Sequence, residues 1–123
     1  MKRTNVQAMT VDQLVERFVQ IALDEDQALL MGQIAKFNRL FDLMTAVEQE
    51  LKGRDGDERR ALLPLYNHPN AQVRVKAIKA TLAVKPDIAR HALQTLADSK
   101  EYPQAGEAGM SIVNLERGIY KPT

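Results

Sequence analysis

The feature that most constrains this fold is a helix corner at Asn67-His68-Pro69-Asn70. Asn67 can end one helix in a left-handed conformation, and Pro69 prevents that helix from simply continuing. Asn70 can cap the next helix because its side chain accepts a hydrogen bond from a first-turn backbone N–H. The run that follows, from residue 71 to residue 85, holds neither Gly nor Pro. The sequence therefore predicts a helix over Ala71–Lys85.

This predicted helix carries apolar residues on two sides. At about 100° per residue, one arc holds Val73, Ala77, Ala80 and Val84, and the other holds Val75, Ile78 and Leu82. A narrow polar stripe of Gln72, Lys76 and Lys79 lies between the arcs. We expect a helix that packs between neighbours in a layered stack and turns this stripe to solvent.

Two longer helices are predicted before the corner. Thr10 and Gln13 form a capping box, from which apolar residues recur at helical spacing to about Met31. Residues 1–9 lack this pattern, and we expect them to fray. Asp24-Glu25-Asp26 lacks the glycine and alternating oxygen ligands of a calcium loop, so it is interpreted as a solvated helix face.

A second helix is predicted over residues 33–52, and its apolar seam has two interpretations. The seam consists of Phe37, Leu40, Met44, Val47 and Leu51. A core stripe packed on the preceding helix is favoured, because fewer than about four heptads are sustained; a homodimer contact is the alternative. Phe41 and Leu43 extend the apolar surface beyond the seam, so we expect this helix to touch two neighbours.

A short helix with a kink is predicted between this hairpin and the corner. It spans Glu58–Tyr66 after a turn whose last residue, Asp57, can cap it. Pro64 lies inside the segment, and an α-helical proline clashes with the carbonyl four residues earlier. We therefore expect a kink or break near Arg60.

The last two helices follow tight turns. Pro86 and Asp87 start one helix, with Ile88, Ala89, Ala92, Leu93 and Leu96 expected to be buried and Arg90, His91 and Gln94 exposed. The final helix runs from about Pro103 to Arg117, with a core contribution expected from Ile112, Val113, Leu115 and Ile119. Gly106 and Gly109 weaken it by about 1 kcal/mol each relative to alanine. Close approach of another helix is the favoured compensation; a bare surface for a ligand or partner is the alternative.

Composition is typical of one domain with a core of ordinary size. The 123 residues are 45% hydrophobic and 27% charged, with no cysteine, which fits a reducing compartment such as the cytoplasm. No apolar region follows the two basic residues at the N-terminus, and no apolar run approaches the 18 or so residues of a membrane span. Residues 1–60 carry nine basic and eleven acidic side chains, whereas residues 61–123 carry eight and five. The C-terminal half is therefore mildly basic.

Catalytic and cofactor motifs are lacking in the sequence. His68 and His91 are the two histidines, and neither lies at metal-ligand spacing from a suitable partner. His91 follows Asp87 by four residues, so an exposed ion pair is expected instead. There is no glycine-rich phosphate loop, nucleophile elbow or zinc-protease motif. We expect a protein without enzymatic activity, cofactor or metal.

Two resemblances extend this interpretation. Ala61-Leu62 and Ala92-Leu93 begin similar helix-turn-helix blocks 31 residues apart, and Asn70-x-x-Val73-Arg74-x-x-Ala77-x-x-Ala80-x-Leu82 resembles the second helix of a HEAT repeat. In addition, RRALLPLYNHPNAQVRVKAIKATLAVKP, YPQAGEAGMSIVNLERGIYKPT and LVERFVQIAL resemble the bacterial domain of unknown function family 2019.

The resemblances imply a fold and a role. The implied fold is an all-α, right-handed α-α superhelix, a HEAT-like solenoid of about six helices in a single domain over 1–123. Residues 10–53 would form a capping helical hairpin and residues 57–118 the helix pairs. What is supposed of the family implies an immunity protein that neutralises a secreted bacterial toxin, and no catalytic residue is carried over.

A candidate binding surface is the basic stripe formed by side chains of two helices. It consists of Gln72, Lys76, Lys79, Arg90 and His91. The leading hypothesis is that this stripe meets an acidic patch on another protein, because complementary charge speeds encounter. Nucleic-acid binding is the second hypothesis, although the stripe lacks aromatic residues that could stack on bases. A structural homodimer through the seam is the third.

Overall fold

The computed structural model describes residues 5–123, which fold entirely into helices and connecting turns. The α-helices are α1 (Val11–Leu30), α2 (Ile34–Gly53), α3 (Ala71–Thr81), α4 (Pro86–Ala97) and α5 (Gln104–Glu116). Two 3₁₀ helices span Val6–Ala8 and Glu58–Asn67. The all-α class is thus confirmed. The chain divides into two compact units, the first ending at Ala61 and the second beginning at Leu62; the single domain over 1–123 stays a prediction.

The first unit is built on the packing of α1 against α2. The capping box at the start of α1 is confirmed: the Gln13 N–H donates to the Thr10 hydroxyl over 3.1 Å, and the Thr10 N–H donates to the Gln13 side chain over 2.9 Å. The apolar stripe of α1 is buried at Leu14, Phe18, Ile21, Ala22 and Ala28, and that of α2 at Leu40, Met44, Val47 and Leu51. Four of the five residues of the predicted seam are therefore buried within the chain, and Phe37 is partly exposed.

Two expectations for the first unit are wrong. Glu25 was expected on a solvated helix face, but it is fully buried. Phe41 and Leu43 are 49% and 44% exposed, while α2 does contact two neighbours, α1 and the 3₁₀ helix Val6–Ala8. Residues 6–8 were expected to fray and instead form a 3₁₀ helix. Arg54 holds this segment, because its guanidinium donates to the Val6 and Met9 carbonyls over 3.3 and 2.7 Å. The part of that expectation that concerns residues 1–4 lies outside the described residues.

The connecting segment is a continuous 3₁₀ helix over Glu58–Asn67. The expected break near Arg60 is absent, because 3₁₀ bonds join residues three apart and avoid the clash that an α-helical Pro64 would make. Asp57 caps the segment as predicted, since its Oδ1 accepts from the Arg59 N–H over 3.2 Å. The Arg59 guanidinium also donates to both carboxylate oxygens of Asp57, and this lowers the pKa of Asp57.

The second unit surrounds an apolar core made by α3, α4 and α5, which pack on one another. Its buried residues are Val75, Ile78, Leu82, Ala89, Leu93, Leu96, Ala108 and Leu115. The helix predicted over Ala71–Lys85 ends earlier, at Thr81. The N–H groups of Val84 and Lys85 both donate to the Thr81 carbonyl, over 3.1 and 2.8 Å, so the chain turns before Pro86. Lys85 directly precedes Pro86 and so disfavours the α conformation, which keeps α3 from including Lys85.

Three apolar residues predicted to be buried in the second unit are exposed. Ile88 is 54% exposed, Val113 38% and Ile119 70%. Ile88 lies roughly 100° around α4 from the arc of Ala89, Leu93 and Leu96, so it points away from the core. Val113 lies on the face of α5 opposite to Ala108 and Leu115, so it also points away from the core. Ile119 follows Gly118, which has a positive φ of 70° and ends the helix.

Candidate functional site

The Asn70 cap fixes where α3 begins. The Asn70 side-chain oxygen accepts from the backbone N–H groups of Gln72 and Val73 over 2.9 and 3.1 Å, as predicted. His68 belongs to the same corner, since its Nδ1 accepts from the Asn70 N–H over 3.0 Å. The corner therefore sets the rotation of α3, and with it the direction of every side chain of the predicted stripe.

The predicted stripe does not face solvent on α3. Gln72 is 1% exposed and Lys76 is 8% exposed. Gln72 accepts a hydrogen bond of 2.9 Å from the side-chain amide of Gln104, which is also buried. Because α3 contacts both α4 and α5, it has no broad solvent-facing side, and the expectation of an exposed stripe is wrong for these two residues.

Lys79 is half-buried and engaged with α5 and the C-terminal segment. Its Nζ forms an ion pair of 3.2 Å with the Glu107 carboxylate. The same Nζ lies 5.8 Å from the centre of the Tyr120 ring, within the range of a cation–π interaction. The charge of Lys79 is thus partly offset within its own chain, which weakens its attraction for an external acidic group.

A second ion pair joins α3 to the segment before α5. The Arg74 guanidinium donates to both carboxylate oxygens of Glu101, over 2.6 and 2.9 Å. This bidentate geometry is the strongest form of arginine–carboxylate contact. The hydrogen bond from Arg74 holds the pKa of Glu101 below its usual value. Arg74 therefore acts within the fold, as a tie between two elements of the second unit.

Arg90 and His91 remain as the exposed part of the predicted site, and both lie on α4. They share the exposed face with Asp87, Ile88, Gln94 and Thr95. The predicted ion pair between Asp87 and His91 does not form, although both residues are described. Gln94 is hydrogen-bonded to Asp98 over 3.0 Å. The surface is accordingly mixed, with one cation, one carboxylate, an imidazole and an exposed isoleucine within three turns.

A shallow depression of about 200 Å³ adjoins this face. It is lined by Val84, Lys85, Pro86, Asp87 and Ile88, at the turn between α3 and α4. Ile88 was expected in the core stripe of α4 and not at the surface. Its angular position on α4 was the signal that could have placed it outside. We define the α4 surface as Asp87, Ile88, Arg90, His91 and Gln94 together with this depression.

A second depression lies in the first unit, at the turn between α1 and α2. It encloses about 240 Å³ and is lined by Ala28, Leu29, Gly32, Gln33, Ile34 and Phe37. The lining is almost wholly apolar, and Leu30 and Met31 beside it are 76% and 63% exposed. Nothing in the sequence motifs pointed to this depression, because its residues come from a helix end and a turn.

The described residues offer neither a metal centre nor a membrane span. Nowhere in 5–123 do three or more His, Asp or Glu side chains come together in a way that could hold a metal ion. None of the helices in that range is both long and apolar enough to cross a bilayer.

The fold of the described residues defines a small all-α protein, and the α4 surface is its candidate binding site. The family model for the domain of unknown function DUF2019 matches residues 12–116. The chain belongs to this family. It is also similar to the protein RPA1889 from Rhodopseudomonas palustris CGA009, whose crystal structure superimposes with a TM-score of 0.94. The two chains are 47% identical over 98% of this chain and 100% of that chain. No curated protein matches the chain significantly.

Proposed function

We propose that this chain is a non-enzymatic protein-binding module and that the α4 surface contacts the partner. The observation that carries the proposal is the exposure of Ile88, 54% of whose side chain faces solvent beside a depression and next to Arg90 and His91. An apolar side chain ringed by polar groups is the usual composition of a protein contact, in which apolar burial gives affinity and charge gives orientation.

The fold of the second unit is part of the same proposal. We assign HEAT-like helix pairs to it, supported by the packing of α3 on α4 and of α4 on α5. In such proteins successive helices expose a similar face, and insertions or substitutions on that face set the partner. The right-handed α-α superhelix that the family resemblance implies is part of the same proposal.

The partner that the family resemblance favours is a bacterial toxin. This proposal rests on that resemblance, and the cytoplasm as the place of action rests on the lack of cysteine. The mildly basic balance of residues 61–123, eight basic against five acidic side chains, favours a partner with an acidic surface.

Nucleic-acid binding is the alternative that this structure favours less. Gln72 and Lys76 are buried and Lys79 is paired with Glu107, so the row of spaced cations that phosphate contacts require is reduced. A gel-shift assay over a salt series separates the two proposals. Binding that weakens steeply with salt would support nucleic acid, whereas no shift at low salt would eliminate it.

A pull-down with paired variants tests the α4 surface. The double variant Ile88→Glu/Arg90→Glu should lose the partner. Ile34→Glu/Lys36→Glu, which likewise replaces an exposed isoleucine and an exposed cation but on α2, should retain it. Circular dichroism must show both variants folded, as expected for exposed positions. Loss with the α2 pair and retention with the α4 pair would contradict the proposal.

A growth assay tests the toxin itself. The product of a gene adjacent to that of this chain is expressed alone and together with the chain. Growth restored by the parent chain, and lost again with Ile88→Glu/Arg90→Glu, is the expected result. If the parent chain fails to relieve the toxicity, the proposed immunity role is wrong. The proposal of protein binding would then depend on the pull-down alone.

A further inference from the structure

The exposed face of α5 is apolar and contains two glycines. Ala105, Ala108, Ser111 and Leu115 turn inward, whereas Gly106, Met110, Val113 and Arg117 lie on the opposite side of the helix at steps of four, three and four residues. Met110 is 62% exposed and Val113 is 38% exposed. Tyr102, just before the helix, is 70% exposed and extends the same face.

The two glycines have no structural requirement within the chain. A Cβ atom at Gly109 would meet nothing within 4 Å, and one at Gly106 would meet only the Tyr102 ring at 3.9 Å. Neither glycine has a positive φ that would exclude other residues. Each nevertheless costs about 1 kcal/mol of helix stability relative to alanine. Packing of a neighbouring helix on these glycines, which the sequence predicted, is not found in the described residues.

The order of residues along this face is complementary to itself. If a second α5 runs antiparallel, with a two-fold axis between Gly109 and Met110, then Gly106 faces Val113 of the second copy and Gly109 faces its Met110. Met110 and Val113 then each meet a glycine, and a bare glycine surface lets two helix backbones come close. A two-fold contact uses the same patch on both copies, so each match occurs twice.

Charge at the two ends of the face agrees with this pairing. Arg117 at the C-terminal end would lie opposite Tyr102 of the second copy, where a guanidinium can stack on the ring. Glu101 precedes Tyr102 in the chain, and its side chain stays 45% exposed while its carboxylate is paired with Arg74. The antiparallel arrangement therefore places a cation on an aromatic face at both ends, whereas a parallel one would place Arg117 against Arg117.

We propose that a second copy of this chain docks antiparallel on the α5 face formed by Tyr102, Gly106, Gly109, Met110, Val113 and Arg117. This surface is distinct from the α4 surface and from the α2 seam. One helix of 13 residues per copy buries less than the roughly 1,200 Å² of a stable interface, so we expect a weak dimer that forms with increasing concentration.

Light scattering and sedimentation over a concentration series, up to about 1 mM, test the proposal. The parent chain should shift from monomer towards dimer. Gly109→Leu should raise the thermal stability of the monomer, because leucine is the better helix former and no atom lies within 4 Å of the position of its Cβ, yet weaken association at least about tenfold by blocking close approach. Gly53→Leu is the matched control, at a helical glycine with open space around it, and should leave association unchanged.

A disulfide test locates the contact. The chain has no cysteine, so one introduced residue gives an unambiguous product. Met110→Cys lies beside the two-fold axis and should form disulfide-linked dimers on mild oxidation. Leu30→Cys should not, although Leu30 in the first unit is the more exposed of the two residues. A chain that stays monomeric at about 1 mM, equal association of Gly109→Leu and the parent, or cross-linking through Leu30→Cys in place of Met110→Cys would each overturn the proposal.

Discussion

The buried side-chain amide of Gln104 donates a hydrogen bond of 2.9 Å to the amide oxygen of Gln72. This bond links the first turn of α5 to the first turn of α3, inside the second unit. Both side chains are within a few per cent of complete burial. Gln72, which was predicted to lie in an exposed binding stripe, thus connects two helices inside the second unit.

Truncation of either glutamine should destabilise the protein. Gln72→Ala and Gln104→Ala should each lower the free energy of unfolding by about 1–3 kcal/mol, because each leaves a buried polar group to find a new partner. Their effects should be less than additive, with a coupling of about 1 kcal/mol in a double-mutant cycle measured by urea unfolding. Gln94→Ala, on the exposed face of α4, should change stability by less than about 0.5 kcal/mol. Fully additive losses would show that the amide bond contributes nothing.

The Asn70 cap should be the most sensitive position of the corner. Asn70→Ala removes the acceptor for the N–H groups of Gln72 and Val73, so we expect a loss of about 1 kcal/mol. Asn70→Asp, which keeps an acceptor at the helix N-terminus, should restore most of the stability. Thermal unfolding followed by circular dichroism measures both. Equal destabilisation by alanine and aspartate would contradict a capping role.

The ion pair of Arg74 and Glu101 should make stability depend on acid pH. The pKa of Glu101 is lowered in the folded state, chiefly by the hydrogen bond from Arg74, so the folded chain favours the carboxylate more than the unfolded chain does. This stabilisation is complete above the unfolded value, close to 4.5, and disappears as pH falls through the lowered pKa.

The variant Glu101→Gln tests this dependence. It should be less stable than the parent at about pH 7 and equally stable at pH values below the lowered pKa. Urea unfolding at a series of pH values gives the two curves, and Glu116→Gln, an exposed acid on α5, serves as control with a constant difference. Parallel curves for Glu101→Gln and the parent would show that the ion pair has no effect on folding.

Charge reversal should destabilise the protein at the buried Lys76 much more than at the exposed Arg90. Lys76→Glu introduces an acid at a site that is 8% exposed and should cost more than about 2 kcal/mol. Arg90→Glu, on the open face of α4, should stay within about 0.5 kcal/mol of the parent. Denaturant unfolding of both variants measures the difference. Similar stabilities would mean that the Lys76 side chain is able to reach solvent. They would support the predicted exposure of the polar stripe on α3.

The main features of the fold follow from local sequence patterns. The capping box at Thr10 and the cap at Asn70 mark helix starts within one residue, because both act through hydrogen bonds over two or three positions. The stripe from Leu40 to Leu51 identifies the side of α2 that packs on α1. Pro64 was recognised as incompatible with a regular α-helix, but the chain relieved the conflict with 3₁₀ winding instead of a break.

The candidate site could be predicted only in part. Arg90 and His91 are exposed as expected, because a single buried arc on α4 decides which residues face away from it. Gln72 and Lys76 were misplaced because α3 has neighbours on more than one side, and the number of neighbours is not encoded in the periodicity of one helix. Gly106 and Gly109 predicted a surface of α5 that another helix, a ligand or a partner contacts. They did not show that no helix of the described residues packs on these glycines.

The sequence by itself determined that this chain is helical, where its helices begin, and which apolar stripes are buried. These properties depend on caps, prolines and periodicity, which act between residues a few positions apart. Only the tertiary structure decided which polar side chains reach solvent, since that depends on how many helices surround each one. The amide bond between Gln72 and Gln104, 32 positions apart, therefore could not be read from either helix alone.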